Sequence, residues 1–412
     1  MSTEPTDDRV AQFYERHPYP PPLTDLDRFA ADARDMARRR VDHHRIWPDR
    51  PFRAATTILV AGCGTSQAAK YAIRHPEARV VGIDVSPIGI EHTRALAARH
   101  ELDNLDVHLL PIDDVGTLAE TFDQVVCTGV LHHLADPDAG LRALAEVTRP
   151  DGALTLMVYA PYGRAGIYMI QEYCRRLDVG TSAPEIADLV ATLRELPVGH
   201  PVSHRLRNTP DFQDDDALAD ALLHPRDRAY SVPELFEFLD GAGLEFGRWI
   251  RQAPYLPGCG SLSTVPHGER IAALPLHEQY AAVELFRGTM VRHSLVAHRR
   301  DRPPVAAVGF DGDGWRDDVA LKPHTTVAVR ERLPEGAAAA LLNRAHEFTD
   351  LVLFADERQL AMFEAIDGHR PLGEIADADP RFFERLWEHD LIVIDASGGH
   401  GASMPPTEGT NP

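Results

Sequence analysis

Residues 57–160 alternate between two hydrophobic periods. Short apolar runs ("TTILVA", "ARVVGIDV", "LDVHLLP", "FDQVVCTGV", "GALTLMVYA") are separated by stretches with apolar residues at helical spacing ("SQAAKYAIRH", "PIGIEHTRALAARH", "DAGLRALAEVTR"). Strands apolar on both faces need cover on both sides. The pattern therefore predicts an α/β, doubly wound sheet. Ahead of it, "DRVAQFYERH" reads as a helix, "PYPPP" cannot be helical, and "LTDLDRFAADARDMARRRVDHH" reads as a second helix. After residue 161, "GRAGIYMIQEYCRRL", "APEIADLVATLREL" and "DDDALADALL" predict a helical cap over about 163–230, inserted behind the fifth strand. "SVPELFEFLDGAG" predicts a helix that Ser231 and Glu234 cap as a box. "LEFGRWIRQ" and "RHSLVAHR" then complete a seven-stranded, mostly parallel sheet, with helical material at 267–287 between them.

"DRPPVAAVGFDGDGW" is rich in Pro, Gly and Asp and marks a boundary. The organisation predicted is a helical segment 1–56, a main domain 57–302, a linker 303–324, a small α+β domain 325–396 and a disordered tail 397–412. Within the small domain, "EGAAAALLNRAH", "ERQLAMFEAI" and "PRFFERLWEH" read as helices and "LIVID" as a strand.

Composition narrows the partners. The net charge of -21 repels phosphate backbones, so nucleic acid is disfavoured. The short basic run "ARRRVDHHR" reads as a solvated helix face. The four cysteines, Cys63, Cys127, Cys174 and Cys259, form no CxxC pair, and no metal site is expected. No apolar run is long enough for a membrane helix, and the acidic start "MSTEPTDDRVAQFYERH" lacks a signal core; both point to the cytoplasm.

The candidate chemistry starts at "AGCGTSQ", residues 61–67, directly after the first strand. GxxxxGK[ST] does not occur, which excludes a P-loop, and Gln67 stands where a dinucleotide fingerprint wants its third glycine. Asp84 ends the second strand, 22 residues beyond Gly62, where an acid can reach ribose hydroxyls or cap the helix that follows. Asp113 follows the third strand, placed to accept from an adenine amine. NAD and S-adenosylmethionine both carry such an adenosine. An oxidoreductase reading lacks GxGxxG and a Tyr-x-x-x-Lys pair, and a catalytically silent binding protein stays open at this point.

The ordered set "ILVAGCGTS", "VVGIDVS", "LLPIDDV", "FDQVVCTGVLHHL" and "LRALAEVTRPDGALTLMVYA" resembles the class I S-adenosylmethionine-dependent methyltransferases over about residues 57–160. "FYERHPYPPP" and "VYAPYGRAGIY" are similar to bacterial members that begin "FY…PYP" and follow the fifth strand with "Y…GR". The resemblance implies a Rossmann-like methyltransferase fold, with S-adenosylmethionine as cofactor and an N-terminal lid. It implies that Gly62 and Gly64 admit the methionine and ribose part. Asp84 binds the ribose hydroxyls, Val85 packs on adenine and Asp113 takes its amine. Thr128 and Gly129 flank the methionine moiety, and Cys63, Gln67, Asp114 and Tyr19 complete the contacts. The family often has an acid where Val60 stands and glycine where Ser66 stands.

The remaining candidates face the methyl acceptor. His132 is a candidate base, with Tyr14 and Tyr162 as further catalytic candidates; His133 reads as structural. Tyr168 and Tyr255 offer aromatic faces to a substrate. Arg226, in "LLHPRDRAYS", either clamps a substrate carboxylate or pairs locally with an Asp. "AIDGHRPLGEIA…FFERLWEHDLIVID" weakly resembles small winged-helix peptide-binding modules. The expected function is methyl transfer to a small molecule or peptide enclosed by the cap. A homodimer is compatible with the sequence.

Overall fold

The computed structural model describes residues 8–17, 21–203, 215–303 and 307–398. The chain divides into two units. The first comprises 1–33, 54–250 and 274–303; the second comprises 34–53, 251–273 and 304–412.

The first unit is built on a seven-stranded sheet: β1 (Thr57–Ala61), β2 (Arg79–Asp84), β3 (Leu105–Leu109), β4 (Phe122–Thr128), β5 (Thr148–Tyr159), β6 (Leu244–Trp249) and β7 (Arg292–Arg299). Their order is β3-β2-β1-β4-β5-β7-β6. The pairings among β1 to β5 are parallel, and β7 runs antiparallel to both β5 and β6. The doubly wound, mostly parallel sheet is therefore as the hydrophobic pattern predicts. β1 is buried almost throughout, as a strand covered on both faces must be. The helix Gln67–Arg74 lies close to the sheet through Ala68, Ala69 and Ala72. Gly82 permits that approach, since a Cβ there would meet the Ala68 methyl at 2.8 Å. The strand order reverses between β1 and β4, and a crevice at such a switch point is where α/β sheets bind ligands.

Behind β5 come the helices Ala165–Arg176, Ala183–Arg194 and Asp215–Leu223. Ile167, Ile170, Ile186, Leu189, Leu218 and Leu222 share one apolar cluster with Phe13 of the N-terminal helix Asp8–Arg16. The helix Val232–Gly241 carries the Ser231/Glu234 capping box read from the sequence.

The second unit holds a two-stranded antiparallel pair, β8 (Val319–Leu321) with β12 (Val393–Asp395), and a three-stranded antiparallel sheet. The latter contains β9 (Thr326–Val329), β10 (Ala339–Asn343) and β11 (Val352–Ala355), with β10 central. Here the structure corrects the sequence reading. "EGAAAALLNRAH" has helix-forming composition, yet Ala339–Asn343 is the middle strand, with Ala339 and Leu341 fully buried. Two-sided pairing and burial outweigh alanine's weak helical preference. The helix expected over "LTDLDRFAADARDMARRRVDHH" is two helices, Asp27–Arg34 and Met36–Ile46. Between them the Asp35 carboxylate accepts from Arg38 N–H at 3.0 Å and so caps the second helix.

Met36–Ile46 belongs to the second unit. Val41 packs with Leu321 and Val393, and Arg40 donates to Asp395 at 3.0 Å. Segment 251–273 is tied in by Asp390, whose carboxylate accepts from the N–H groups of Gln252 and Ala253 at 3.1 and 3.0 Å. The linker expected at 303–324 contains β8. Tyr19 and the tail from 399 onward lie outside the described residues. Among the described residues, no helix is long and apolar enough to cross a membrane.

Candidate active site at the carboxyl ends of β1, β2 and β4

The loop after β1 is held by backbone. Gly62 and Cys63 N–H groups both donate to Ile83 O, at 2.9 and 3.0 Å. Gly62 and Gly64 have φ of +69° and +53°, in the left-handed region that glycine enters without cost. A Cβ on Gly62 would also stand 2.3 Å from Val130 Cγ2. Ser66 does not break the loop. Its φ of -161° is extended backbone open to any residue, so a glycine there is not required.

Asp84 locks this loop to β2. Its Oδ2 accepts from Gly64 N–H at 2.7 Å and its Oδ1 from Ser86 N–H at 2.8 Å. Ser86 caps the helix Pro87–Arg99 through Gly89 N–H at 3.1 Å, and Thr93 Oγ1 donates to Gly64 O at 3.0 Å. Burial raises the Asp84 pKa, and the backbone N–H groups of Ser86 and Gly64 oppose that rise. A carboxylate offers about four lone-pair sites, so it can still accept from a vicinal diol.

Gln67 Nε2 donates to Thr128 Oγ1, which joins the loop to the end of β4. Gly129 follows with φ of +79°, and a Cβ there would meet only the Met157 methyl, at 3.4 Å. Val85 leaves its apolar side chain exposed beside Asp84. Asp113 and Asp114 lie exposed on the turn Ile112–Leu118; partial burial, then the charges of Asp114 and Asp136, raise the Asp113 pKa. Cys63 is corrected to a core residue: its thiol is buried, burial pushes its pKa up, and a Cβ on Gly82 would meet its Sγ at 3.2 Å. Any ligand contact from this position comes from the main chain.

A second group of residues lies beyond β4. His132 and His133 sit on the buried turn Leu131–His133. The His132 ring is 4.0 Å from that of Tyr159, and neither of its nitrogens has a hydrogen-bond partner among the described residues. Burial, reinforced by His133, Arg164 and His224, holds its pKa well below the usual histidine value. Burial thus disfavours the imidazolium that a base would form, and favours a hydrogen-bonding role for His132.

The loop 224–230 is clamped along this turn and β5. Arg228 N–H donates to His132 O at 3.1 Å, and Tyr230 N–H to Tyr159 O at 2.9 Å. Arg226 contributes backbone here: its carbonyl is 2.6 Å from His133 Nδ1 and also contacts His224 Nδ1. The local Arg226–Asp227 pair considered from the sequence is replaced by a longer-range one. Asp227 Oδ2 accepts from Arg164 Nη2 at 2.7 Å and from Gln171 Nε2 at 2.8 Å. The Arg164 guanidinium also lies 3.6 Å over the Tyr159 ring and donates to the Tyr168 hydroxyl at 3.2 Å. Tyr168 is therefore a brace for Arg164, with burial pushing its pKa up to about 12.

Tyr14 donates to Asp220 Oδ1 at 3.1 Å, and its ring is 5.5 Å from that of His224. Burial, then the charges of Asp220, Tyr159 and Asp84, raises its pKa. Tyr162 is exposed on the turn after β5, and Tyr255 belongs to the second unit. Sequence reasoning missed Arg164, Gln171 and Asp220. Each acts through a partner roughly fifty to two hundred residues away, which no local spacing reveals.

For S-adenosylmethionine the residues present fit. Glycine-lined space lies beside Gly129, a two-oxygen acceptor stands at Asp84, and an exposed apolar side chain stands at Val85.

Comparison with known proteins agrees. A family model described as a methyltransferase domain matches residues 59–154. An uncharacterized protein of Synechococcus sp. is 34% identical over 239 residues, covering 56% of this chain and 57% of its own. The ubiquinone biosynthesis O-methyltransferase of Neisseria meningitidis is 31% identical over 96 residues, covering 23% of this chain and 40% of its own. The chain thus spans about half or less of the length of these curated relatives. PKMT2 from Rickettsia typhi, solved in complex with AdoHcy, superposes with a TM-score of 0.62 at 14% identity, over 88% of this chain and 76% of that one. At that identity the likeness is one of fold. The family model thus marks residues 59–154 as a methyltransferase domain, and the strand order and the Asp84-locked glycine loop are similar to those of the class I S-adenosylmethionine-dependent fold.

Proposed function

We propose that the protein transfers a methyl group to a small-molecule or peptide acceptor held beneath the helices that follow β5. The observation that carries this is Tyr14. Its hydroxyl is bonded to Asp220 of the helix Asp215–Leu223 and lies close enough to Asp84 for that charge to raise its pKa. The N-terminal helix and a helix behind β5 thus meet near the cofactor acid, backed by the Phe13 cluster. Such an arrangement shields an acceptor from water.

When bound, S-adenosylmethionine supplies a methyl group already activated on a sulfonium. What remains for the chain is to orient the acceptor in line and exclude water, and positioning of this kind can supply roughly 7–11 kcal/mol of the barrier. Tyr14 and Asp220 fix the N-terminal helix, Arg164 and Tyr159 form a rigid aromatic–cationic wall, and His132 offers a buried nitrogen to the acceptor. With its pKa raised, Tyr14 stays protonated and acts as a donor.

Isothermal titration of the full chain with S-adenosylmethionine should show saturable binding that Asp84→Ala abolishes while circular dichroism is retained. Incubation with methyl-labelled cofactor and separated small-molecule and peptide fractions should then label one of them. A chain that binds the cofactor yet labels neither fraction would overturn the proposal.

A further inference from the structure

His133, Asp220 and His224 come from three separate segments and converge as buried side chains. One ligand-capable atom from each lies within 4.8 Å of the other two. A zinc ion sits about 2.0–2.2 Å from nitrogen and oxygen ligands, so these atoms can close on one ion with adjustments of about an ångström.

The surroundings are those of a ligand set. The two histidines share one backbone acceptor: His133 Nδ1 lies 2.6 Å from Arg226 O, and His224 Nδ1 contacts the same oxygen. An Nδ1–H that donates to a carbonyl leaves Nε2 as a bare lone pair, the tautomer in which metal-bound histidines are held. The Arg226 N–H also lies 3.0 Å from His224 Nδ1; in that alternative tautomer His224 would bury an Nε2–H instead. In either case His224 Nε2 is buried and has no hydrogen-bond partner among the described residues, in a residue only 8% exposed. An orphaned buried polar atom is costly, and a bound metal would satisfy it. Asp220 is itself oriented, through the Tyr14 hydroxyl on Oδ1. The rings of Phe13 and Tyr14 pack 5.1 and 5.5 Å from that of His224.

We infer that His133, His224 and Asp220 form a binding site for a divalent transition metal of the zinc class, with Arg226 O and Tyr14 as its outer partners. Two imidazoles and one carboxylate suit Zn2+ or Fe2+ rather than Mg2+ or Ca2+. Three protein ligands leave a coordination position open. There an acceptor's hydroxyl, thiol or amine would be held and polarised by the ion.

The test uses the full chain, stripped with chelator and dialysed, and titrated with Zn2+ alone by calorimetry, then with Co2+ to read ligand-field absorption. One equivalent of Zn2+ should bind, and a visible Co2+ spectrum of low-coordinate nitrogen–oxygen type should appear. His224→Gln and Asp220→Asn should each weaken Zn2+ binding by on the order of a hundredfold, since the loss of outer partners alone costs 10–100-fold. S-adenosylmethionine binding, measured in parallel, reports whether each variant is folded and is independent of the metal. Absence of stoichiometric Zn2+ binding by the stripped, cofactor-competent chain would overturn the inference. So would equal binding by a folded His224→Gln variant, which would place the ion elsewhere among the 21 histidines.

Discussion

Removal of the Asp227 carboxylate should be among the most damaging single changes to the first unit. Asp227 and Arg164 have side chains only 2% and 8% exposed, and their contact is 2.7 Å. Breaking such a pair from one side leaves a buried guanidinium uncompensated, at a cost of about 3–5 kcal/mol. Two contacts soften the loss. The Tyr159 ring beneath the guanidinium contributes up to about 2 kcal/mol when desolvated, and the Tyr168 hydroxyl remains. The expectation for Asp227→Ala is therefore the lower end, about 3 kcal/mol. At roughly 2–4 °C per kcal/mol for a domain of this size, that is a fall of about 6–12 °C. Calorimetry reads it, with the relevant transition identified by its upward shift on adding S-adenosylmethionine. The Arg164→Met, Asp227→Leu double variant removes both charges and should be clearly more stable than Asp227→Ala, because no charge is stranded. A fall of less than about 2 °C for Asp227→Ala, or a double variant no more stable than the single, would refute the assignment of a coupled buried pair.

Two further changes test the loop and the second unit. Gly62→Ala forces a side chain into the left-handed region and against Val130, and should lower stability by about 3 kcal/mol in urea titrations. Gly129→Ala meets only the Met157 methyl, so it should cost less stability than Gly62→Ala while still weakening cofactor binding by calorimetry. Burial pushes the Asp395 pKa up, but His44 Nε2 at 3.1 Å, the Ser397 hydroxyl at 2.6 Å and the Arg40 guanidinium at 3.0 Å outweigh it and hold the pKa well below the ordinary carboxylate range. Its stabilisation is present above the unfolded-state pKa and is lost as pH falls toward the folded value. Asp395→Asn should therefore lower stability by about 2 kcal/mol at neutral pH and flatten the acid limb of a urea-midpoint profile of the second unit.

Legibility followed the range of the interactions. The seven strands were readable because two-faced burial prints apolar runs, and β7 was found at the residues it occupies. The loop was readable because glycine and an acid at a strand end have local reasons to be there. Ser66 looked like a departure only because φ is not written in a sequence, and Val60 is wholly buried in an apolar cluster where a lone carboxylate would be costly. β10 was hidden because its alanines carry a helical preference that pairing overrules. Arg226 stands out in "LLHPRDRAYS", yet the partners of this loop, His133 and Arg164, lie elsewhere in the chain. Only folding shows that Arg226 works through its carbonyl and Asp227 through a distant guanidinium.

The chain alternates between its two units in six segments and so passes between them five times. That route has a consequence for synthesis and for dissection. Domains ordinarily fold as they leave the ribosome, N-terminal first. Here the helix Met36–Ile46 must wait for β8 and β12, more than two hundred and seventy residues later, and β5 must wait for β7. Truncation at any single point between the helix Met36–Ile46 and β12 strands part of a core. Limited proteolysis should accordingly give nicked but associated fragments rather than separable domains, and a methyltransferase domain cut out at 59–154 would lack β5's antiparallel neighbour and much of its fold.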